Sequence, residues 1–392
     1  MKEDTLIVTA GRDPESNHGI VNPPVYHAST VLFPTVAALE KSQKQRLDSN
    51  TVYYGRFGTP TTFAFQNAIA QLDDGHRAIA VASGKCAILV SLMAFLKSGD
   101  HLLMVDSAYG PTRELCNGLL TRFGVTTTFY DPLIGSDIAN LIRPETQVVF
   151  TESPGSQTFE IQDIGVISRT AHENDCVVVM DNTWATSLFF KPFEHGVDVI
   201  VQAATKYILG HSDAMLGVIT TNAKNFEPIQ RAALDFGAPP GPDDVYLAQR
   251  GLRTLGVRLA RHMATGLRIA SWLQAQPQVA KVLHPGLPDD PGHSIWSRDF
   301  HGASGLFGLV LKETTKTMLA KMLDKMQLFK MGYSWGGYES LMIPTDPEKQ
   351  RTATCWRPEG PTLRIHAGLE DPDDLIQDLE QGLSRLSPTS SL

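Results

Sequence analysis

The chain has 392 residues, more than one ordinary compact core holds, so two domains with an additional arm are expected. Hydrophobic residues make up 42% and charged residues 19%, the balance of a globular protein rather than a disordered or fibrous one. A formal net charge of −8 argues against nucleic acid as a partner, because phosphate binding needs a basic face.

The chain begins MKEDTLIVTAGRDPESNHG, without an apolar leader segment, and no stretch approaches the roughly 18 unbroken apolar residues of a membrane span. A cytoplasmic protein with no membrane partner is expected. Residues 1–60 are rich in Pro, Gly, Ser and Asn and read as an irregular arm with one short helix, Thr35 to Gln45. So long a non-repetitive lead is expected to lie on another surface. From residue 61 a rhythm begins. Helices are predicted at 61–72, from Lys85, at 111–123 and at 163–173. Between them stand the apolar runs AIAVAS, HLLMVDS, TTTFYD, TQVVFTES, CVVVMDN, VDVIVQAAT and AMLGVITTN. Continuously apolar strands separated by helices predict a doubly wound α/β domain on a mainly parallel sheet, here 61–250. A Pro- and Gly-rich loop, DFGAPPGPDD, precedes one long helical stretch. A smaller α+β domain, 251–392, is expected to contain the strands GLFGLVLK and TLRIHAG, a helix at 314–325 and a last helix from Pro372 to Ser384. The four cysteines, Cys86, Cys116, Cys176 and Cys355, are widely spaced and read as reduced thiols, with no metal site.

Ligands in such folds sit at the carboxyl ends of the strands. Four features fall there. Gly84 and Lys85 in ASGKCAI offer turn amides to an anion. Tyr109 follows HLLMVDS, Asp181 ends CVVVMD, and Lys206 follows VDVIVQAAT. Alone, each has an ordinary reading: a turn, a helix cap, a solvated lysine. Together they are the set that pyridoxal 5'-phosphate needs: an amine for its aldehyde, a carboxylate for its ring nitrogen, amides for its phosphate and an aromatic face for its ring.

These residues, with YYGRFGTPT, DSAYGPT, ESPGS, DNTWAT, QAATKYILGHSDAMLG, GYSWGGYESL and LRIHAGLED, resemble nearly end to end the Cys/Met-metabolism family of pyridoxal-phosphate enzymes, of aminotransferase-like fold. The resemblance implies that Lys206 forms the imine with the cofactor, Asp181 holds the ring nitrogen and Tyr109 stacks on the ring. It implies that Gly84, Lys85 and Thr205 bind the phosphate. It further implies a homotetramer, a dimer of active dimers, in which Tyr54 and Arg56 reach the phosphate from the adjacent subunit. Where many members carry a phosphate-binding serine this chain has Ala203. Trp335 resembles the β-lyase branch, whose reaction is α,β-elimination of L-cystathionine to homocysteine, pyruvate and ammonia in the transsulfuration step of methionine biosynthesis. A γ-acting or broad cysteine-S-conjugate lyase is the alternative on the same fold.

Gly332-Tyr333-Ser334-Trp335-Gly336 also matches G-x-S-x-G, the nucleophile elbow of serine hydrolases. His366 follows it and Glu339 is at hand, so chain order leaves a hydrolase open. The family resemblance instead places Ser334 and Trp335 beside the substrate carboxylate, with Arg364 pairing it bidentately.

Overall fold

The computed structural model describes residues 1–48 and 50–386. Seven strands form the larger sheet: β1 (Arg77–Val81), β2 (His101–Val105), β3 (Thr126–Tyr130), β4 (Thr146–Glu152), β5 (Val177–Asp181), β6 (Val199–Gln202) and β7 (Gly217–Thr221). Their order is β1-β7-β6-β5-β4-β2-β3. The pairs β2–β3, β2–β4, β4–β5 and β5–β6 are parallel, while β7 runs antiparallel to both neighbours. Every residue of β2, β6 and β7 is buried. That explains their largely apolar sequence: both faces are covered, so no polar alternation is needed. The carboxyl ends of β1, β2, β4, β5 and β6 therefore share one edge.

Four further strands, β8 (Val279–Leu283), β9 (Leu306–Leu311), β10 (Leu341–Thr345) and β11 (Thr362–His366), form an antiparallel sheet ordered β10-β11-β9-β8. Its core gathers Phe307, Leu309, Leu363 and Ile365 with Leu375 and Leu379 of the helix Pro372–Ser384. That helix begins where predicted because Asp371 caps it, accepting from Asp373 N, and Pro372 is tolerated in the first turn.

The structure departs from the sequence expectations at several points. The arm contains a helix at Glu3–Thr9, whose Ile7 is buried against the main body. The predicted helix 111–123 is α-helical over Gly110–Leu115 and widens to a π turn over Cys116–Leu120. The long helical stretch is two helices, Pro242–Leu252 and Leu255–Gln274. At the break the Arg258 guanidinium takes the carbonyls of Tyr207 and Gly251. Strands β8 and β10 and the helix Phe226–Phe236 were not anticipated.

The connection between β10 and β11 is anchored on the larger sheet. Asp106, just past β2, accepts from Thr352 N, Ala353 N, Thr354 N and both threonine hydroxyls. It also pairs with Arg113 at 2.9 Å, both side chains being almost wholly buried. Burial alone would raise the Asp106 pKa; the hydrogen bonds from Thr352 and Thr354 and the Arg113 charge more than offset it and hold it low. Arg351 pairs with Glu160 at 2.7 Å beside this anchor. Asp106→Ala leaves Arg113 buried without its partner, so a loss of about 3–5 kcal/mol in stability is expected. Calorimetry measures it, and limited proteolysis is expected to cut first within 346–358.

Candidate active site

A cavity of about 340 Å³ opens at the shared strand edge, lined by Gly84, Lys85, Tyr109, Asp181, Lys206 and Arg364 among others. Each reaches it for a local reason. Beyond β1, Ser83 caps the helix Gly84–Met93 by accepting from Cys86 N at 3.2 Å. The first two amides of that helix, Gly84 and Lys85, precede any intrahelical acceptor and donate to nothing among the described residues. Tyr109 precedes the helix after β2, and its backbone N–H donates to Glu152 at the end of β4, at 2.8 Å. Glu152 stands in register with Asp181 on β5. Asp181 Oδ1 accepts from Thr183 N at 2.9 Å and from the Thr183 hydroxyl at 2.5 Å. No hydrogen bond of the described residues engages its Oδ2. The Thr183 hydroxyl in turn accepts from Ala203 N at 2.9 Å, tying the end of β5 to the segment that carries the lysine.

Lys206 Nζ donates to Ser334 Oγ at 2.6 Å and lies 5.2 Å from the centre of the Trp335 ring, close enough for a cation–π contact. Arg364, on β11, donates to the Ser334 carbonyl at 3.0 Å. Gly336 lets the loop lie flat on the lysine: its φ is +86°, and a Cβ there would stand 2.9 Å from the Lys206 carbonyl carbon. Ser334 itself has φ +95°, a conformation strained for any residue but glycine.

Electrostatics follow from burial. The Lys206 amine is lowered to about 8, first by desolvation and then by the Arg364 charge, against the pull of Asp181. Asp181 is raised, chiefly by burial, with Thr183 and Lys206 opposing. Glu152 is raised as well, by burial and by the neighbouring Asp181 charge. Burial also raises Tyr109, and its phenol stays protonated.

The hydrolase reading of G-x-S-x-G does not survive this geometry. The Ser334 hydroxyl is bonded to a lysine, and His366 Nε2 faces the backbone of Gly336 and Gly337 instead. Glu339 accepts from Ser212. Neither residue activates Ser334. The remaining expected residues, Gly84, Lys85, Tyr109, Asp181, Thr205, Lys206, Trp335 and Arg364, meet around the cavity, and Ser334 borders it through its bonds with Lys206 and Arg364. Two qualifications are structural. The Thr205 hydroxyl already donates to Leu216 O. The Ala203 methyl abuts Gly84, where a Cβ would come within 2.5 Å of it, so residue 203 does sit at the anion turn. Tyr54 and Arg56 are elsewhere: Arg56 donates to Leu234 O at 2.8 Å, in a separate groove. Glu152 and Thr183 were missed, although Glu152 ends an apolar run, VVFTE, just as Asp181 ends VVVMD.

An amine beside an unengaged carboxylate oxygen, with free helix amides and a flanking phenol, defines a pyridoxal-phosphate site. The comparisons agree. The profile of the Cys/Met metabolism PLP-dependent enzyme family matches residues 4–384, and the chain belongs to that family. The cystathionine beta-lyase of Salmonella typhimurium is 44% identical over 98% of both chains. Cystathionine beta-lyase MetC of Escherichia coli is 43% identical over 98% of this chain and 99% of its own. The crystal structure of metB from Corynebacterium glutamicum superposes with a TM-score of 0.91, at 29% identity and 99% coverage of each chain. The cofactor is pyridoxal phosphate. Among the described residues, no group of His, Cys, Asp and Glu side chains could hold a metal, and no helix is long and apolar enough to cross a membrane.

A lysine attacks the cofactor aldehyde only as the free amine. With Lys206 at about 8 rather than its ordinary 10.5, the rate of cofactor uptake by the apoprotein is expected to climb with pH up to about 8 and then level off. Stopped-flow absorbance measures it; a rate still climbing steeply above pH 9.5 would contradict the lowered amine.

Proposed function

We propose that this chain is a carbon–sulfur lyase that cleaves L-cystathionine by α,β-elimination, releasing homocysteine, pyruvate and ammonia. The observation that carries the reading is the 2.6 Å contact of Lys206 Nζ with Ser334 Oγ, on the loop whose carbonyl also takes Arg364. It ties a buried base and a carboxylate-binding guanidinium to one loop. The names of the similar enzymes support the same substrate. The chain would divide into an arm, 1–60, a cofactor-binding part, 61–250, and a part carrying the carboxylate site, 251–392.

Bound pyridoxal phosphate supplies an electron sink conjugated to the substrate Cα, which makes the Cα proton removable and lets a thiolate leave Cβ. Asp181 would provide the negative charge that keeps the ring nitrogen protonated. The amides of Gly84 and Lys85 and the positive end of their helix would receive the phosphate. Tyr109 would face the ring. Arg364 orients the substrate carboxylate through two parallel hydrogen bonds. Lys206 takes the Cα proton, and Ser334 Oγ holds its amine in place when it is not bonded to the cofactor. The departing homocysteine thiolate takes a proton from Lys206 or from the Tyr109 phenol. Lys206→Ala is expected to abolish turnover. Arg364→Ala is expected to weaken kcat/KM by about 2–5 kcal/mol. The keto acid released from L-cystathionine tests the reaction class: pyruvate is expected, whereas 2-oxobutyrate would move the enzyme to γ-elimination.

A second copy of the chain completes the site in this reading. Tyr54 and Arg56 lie outside their own cavity, and the arm exposes the apolar side chains of Ile20, Val21, Leu32 and Val36, which a partner would cover. On the family resemblance, the assembly in this reading is a homotetramer of two active dimers. Mixing Lys206→Ala with Arg56→Ala protein, each impaired alone, is expected to restore up to about a quarter of the wild-type activity, because one site in such a mixed dimer carries neither change. No recovery after subunit exchange would place Arg56 in its own chain's site or in none.

A further inference from the structure

Two side chains on one face of β11 grip the same loop. Arg364 and His366 are two residues apart, so both leave the strand on the same side. Arg364 takes the Ser334 carbonyl at 3.0 Å. His366, only 1% exposed, brings Nε2 to 3.2 Å from Gly336 N and 3.1 Å from Gly337 O. The two contacts fall on either side of Trp335.

We propose that His366 is a positioning residue for the substrate-carboxylate site, holding the 332–338 loop so that Ser334 stays registered on both Arg364 and Lys206. The inference rests on the roles given above to Arg364 and Ser334. Either neutral tautomer serves: Nε2 accepts from Gly336 N–H or donates to Gly337 O. The ring stays neutral across the working range, because burial first, then His262 and the Arg364 and Lys206 charges, push it down to about 3. Its place is fixed from behind. The His262 ring lies 5.1 Å away and the Tyr207 ring 6.0 Å away. His262 Nδ1 is itself bonded to Ala367 O at 2.8 Å.

Two observations separate this from core filling. His366 Nδ1 has no partner among the described residues, so an imidazole here leaves a buried polar atom unmet, a cost that an aliphatic side chain would avoid. The loop also needs restraint. Ser334 holds a strained conformation at φ +95°, and strained backbone persists only where its surroundings over-determine it. The two β11 contacts supply that restraint from one side, and Lys206 supplies it from the other.

The test compares holoenzyme of wild type, His366→Gln, His366→Asn and His366→Leu. Glutamine reaches the position of Nε2; asparagine does not. Hydrogen exchange of peptides covering 332–338 reads the tether directly and needs no substrate. In His366→Leu and His366→Asn that segment is expected to exchange at least about tenfold faster, and KM for L-cystathionine to rise at least about tenfold, while His366→Gln stays within about threefold of wild type in both. Melting temperatures are expected to agree within about 3 °C, which separates a shifted loop from a weakened core. Unchanged exchange in the leucine variant overturns the proposal, as do glutamine and asparagine variants that behave alike. If the leucine variant does not fold, the glutamine–asparagine contrast decides by itself. If wild type leaves L-cystathionine untouched, the proposed reaction fails, and the exchange comparison still decides the role of His366.

Discussion

The structure turns on one desolvated amine. Lys206 stands between a mainly parallel sheet, which supplies Asp181, Thr183 and the anion turn, and an antiparallel sheet, which supplies Arg364 and the loop of Ser334. Its hydrogen bond to Ser334 Oγ at 2.6 Å is where the two sheets meet chemically. Burial makes the ammonium form costly, and a neighbouring guanidinium makes it costlier. That is the condition a lysine needs to be both nucleophile and base near neutral pH. Gly336, Arg258 and the buried His262–His366 pair can each be understood as keeping the surroundings of this amine fixed. The break between the helices Pro242–Leu252 and Leu255–Gln274 belongs to the same design, since Arg258 there holds the carbonyl of Tyr207, next to Lys206.

Much of this was legible in the sequence, for a physical reason. A strand buried on both faces writes itself as an unbroken apolar run, and whatever ends that run stands at the ligand edge. VVVMD thus exposed Asp181, and the runs before Tyr109 and Lys206 placed them. The helix Pro372–Ser384 carried its own cap and proline. Other features left no local trace. β10 reads LMIPT, with a proline that argues against a strand. It exists because β11 pairs with it at the edge of the sheet. The helix Glu3–Thr9 is too short to be stable alone and takes its order from packing Ile7 on the main body.

The hydrolase motif is the instructive failure. G-x-S-x-G names residue types, not directions. The same five residues that would aim a serine into a hydrolase cleft here turn its hydroxyl to a lysine and its carbonyl to an arginine. Only tertiary geometry separates the two, because the deciding partners lie 128 and 30 positions away in the chain. His366 was noticed for the wrong partnership, and its true one, with the backbone of Gly336 and Gly337, has no sequence signature.

The Asp106 anchor carries a consequence for how the cleft handles its substrate. Many two-layer enzymes swing one layer against the other to enclose what they bind. Here the second layer reaches across and sinks Thr352, Ala353 and Thr354 onto a carboxylate buried at the foot of Tyr109, backed by Arg113 and by the Arg351–Glu160 pair. A swing would have to break the Thr352, Ala353 and Thr354 hydrogen bonds and the Arg351–Glu160 pair together, while the buried Asp106–Arg113 pair stayed intact. The anchor therefore sets a cost against any swing of the smaller sheet away from the larger one.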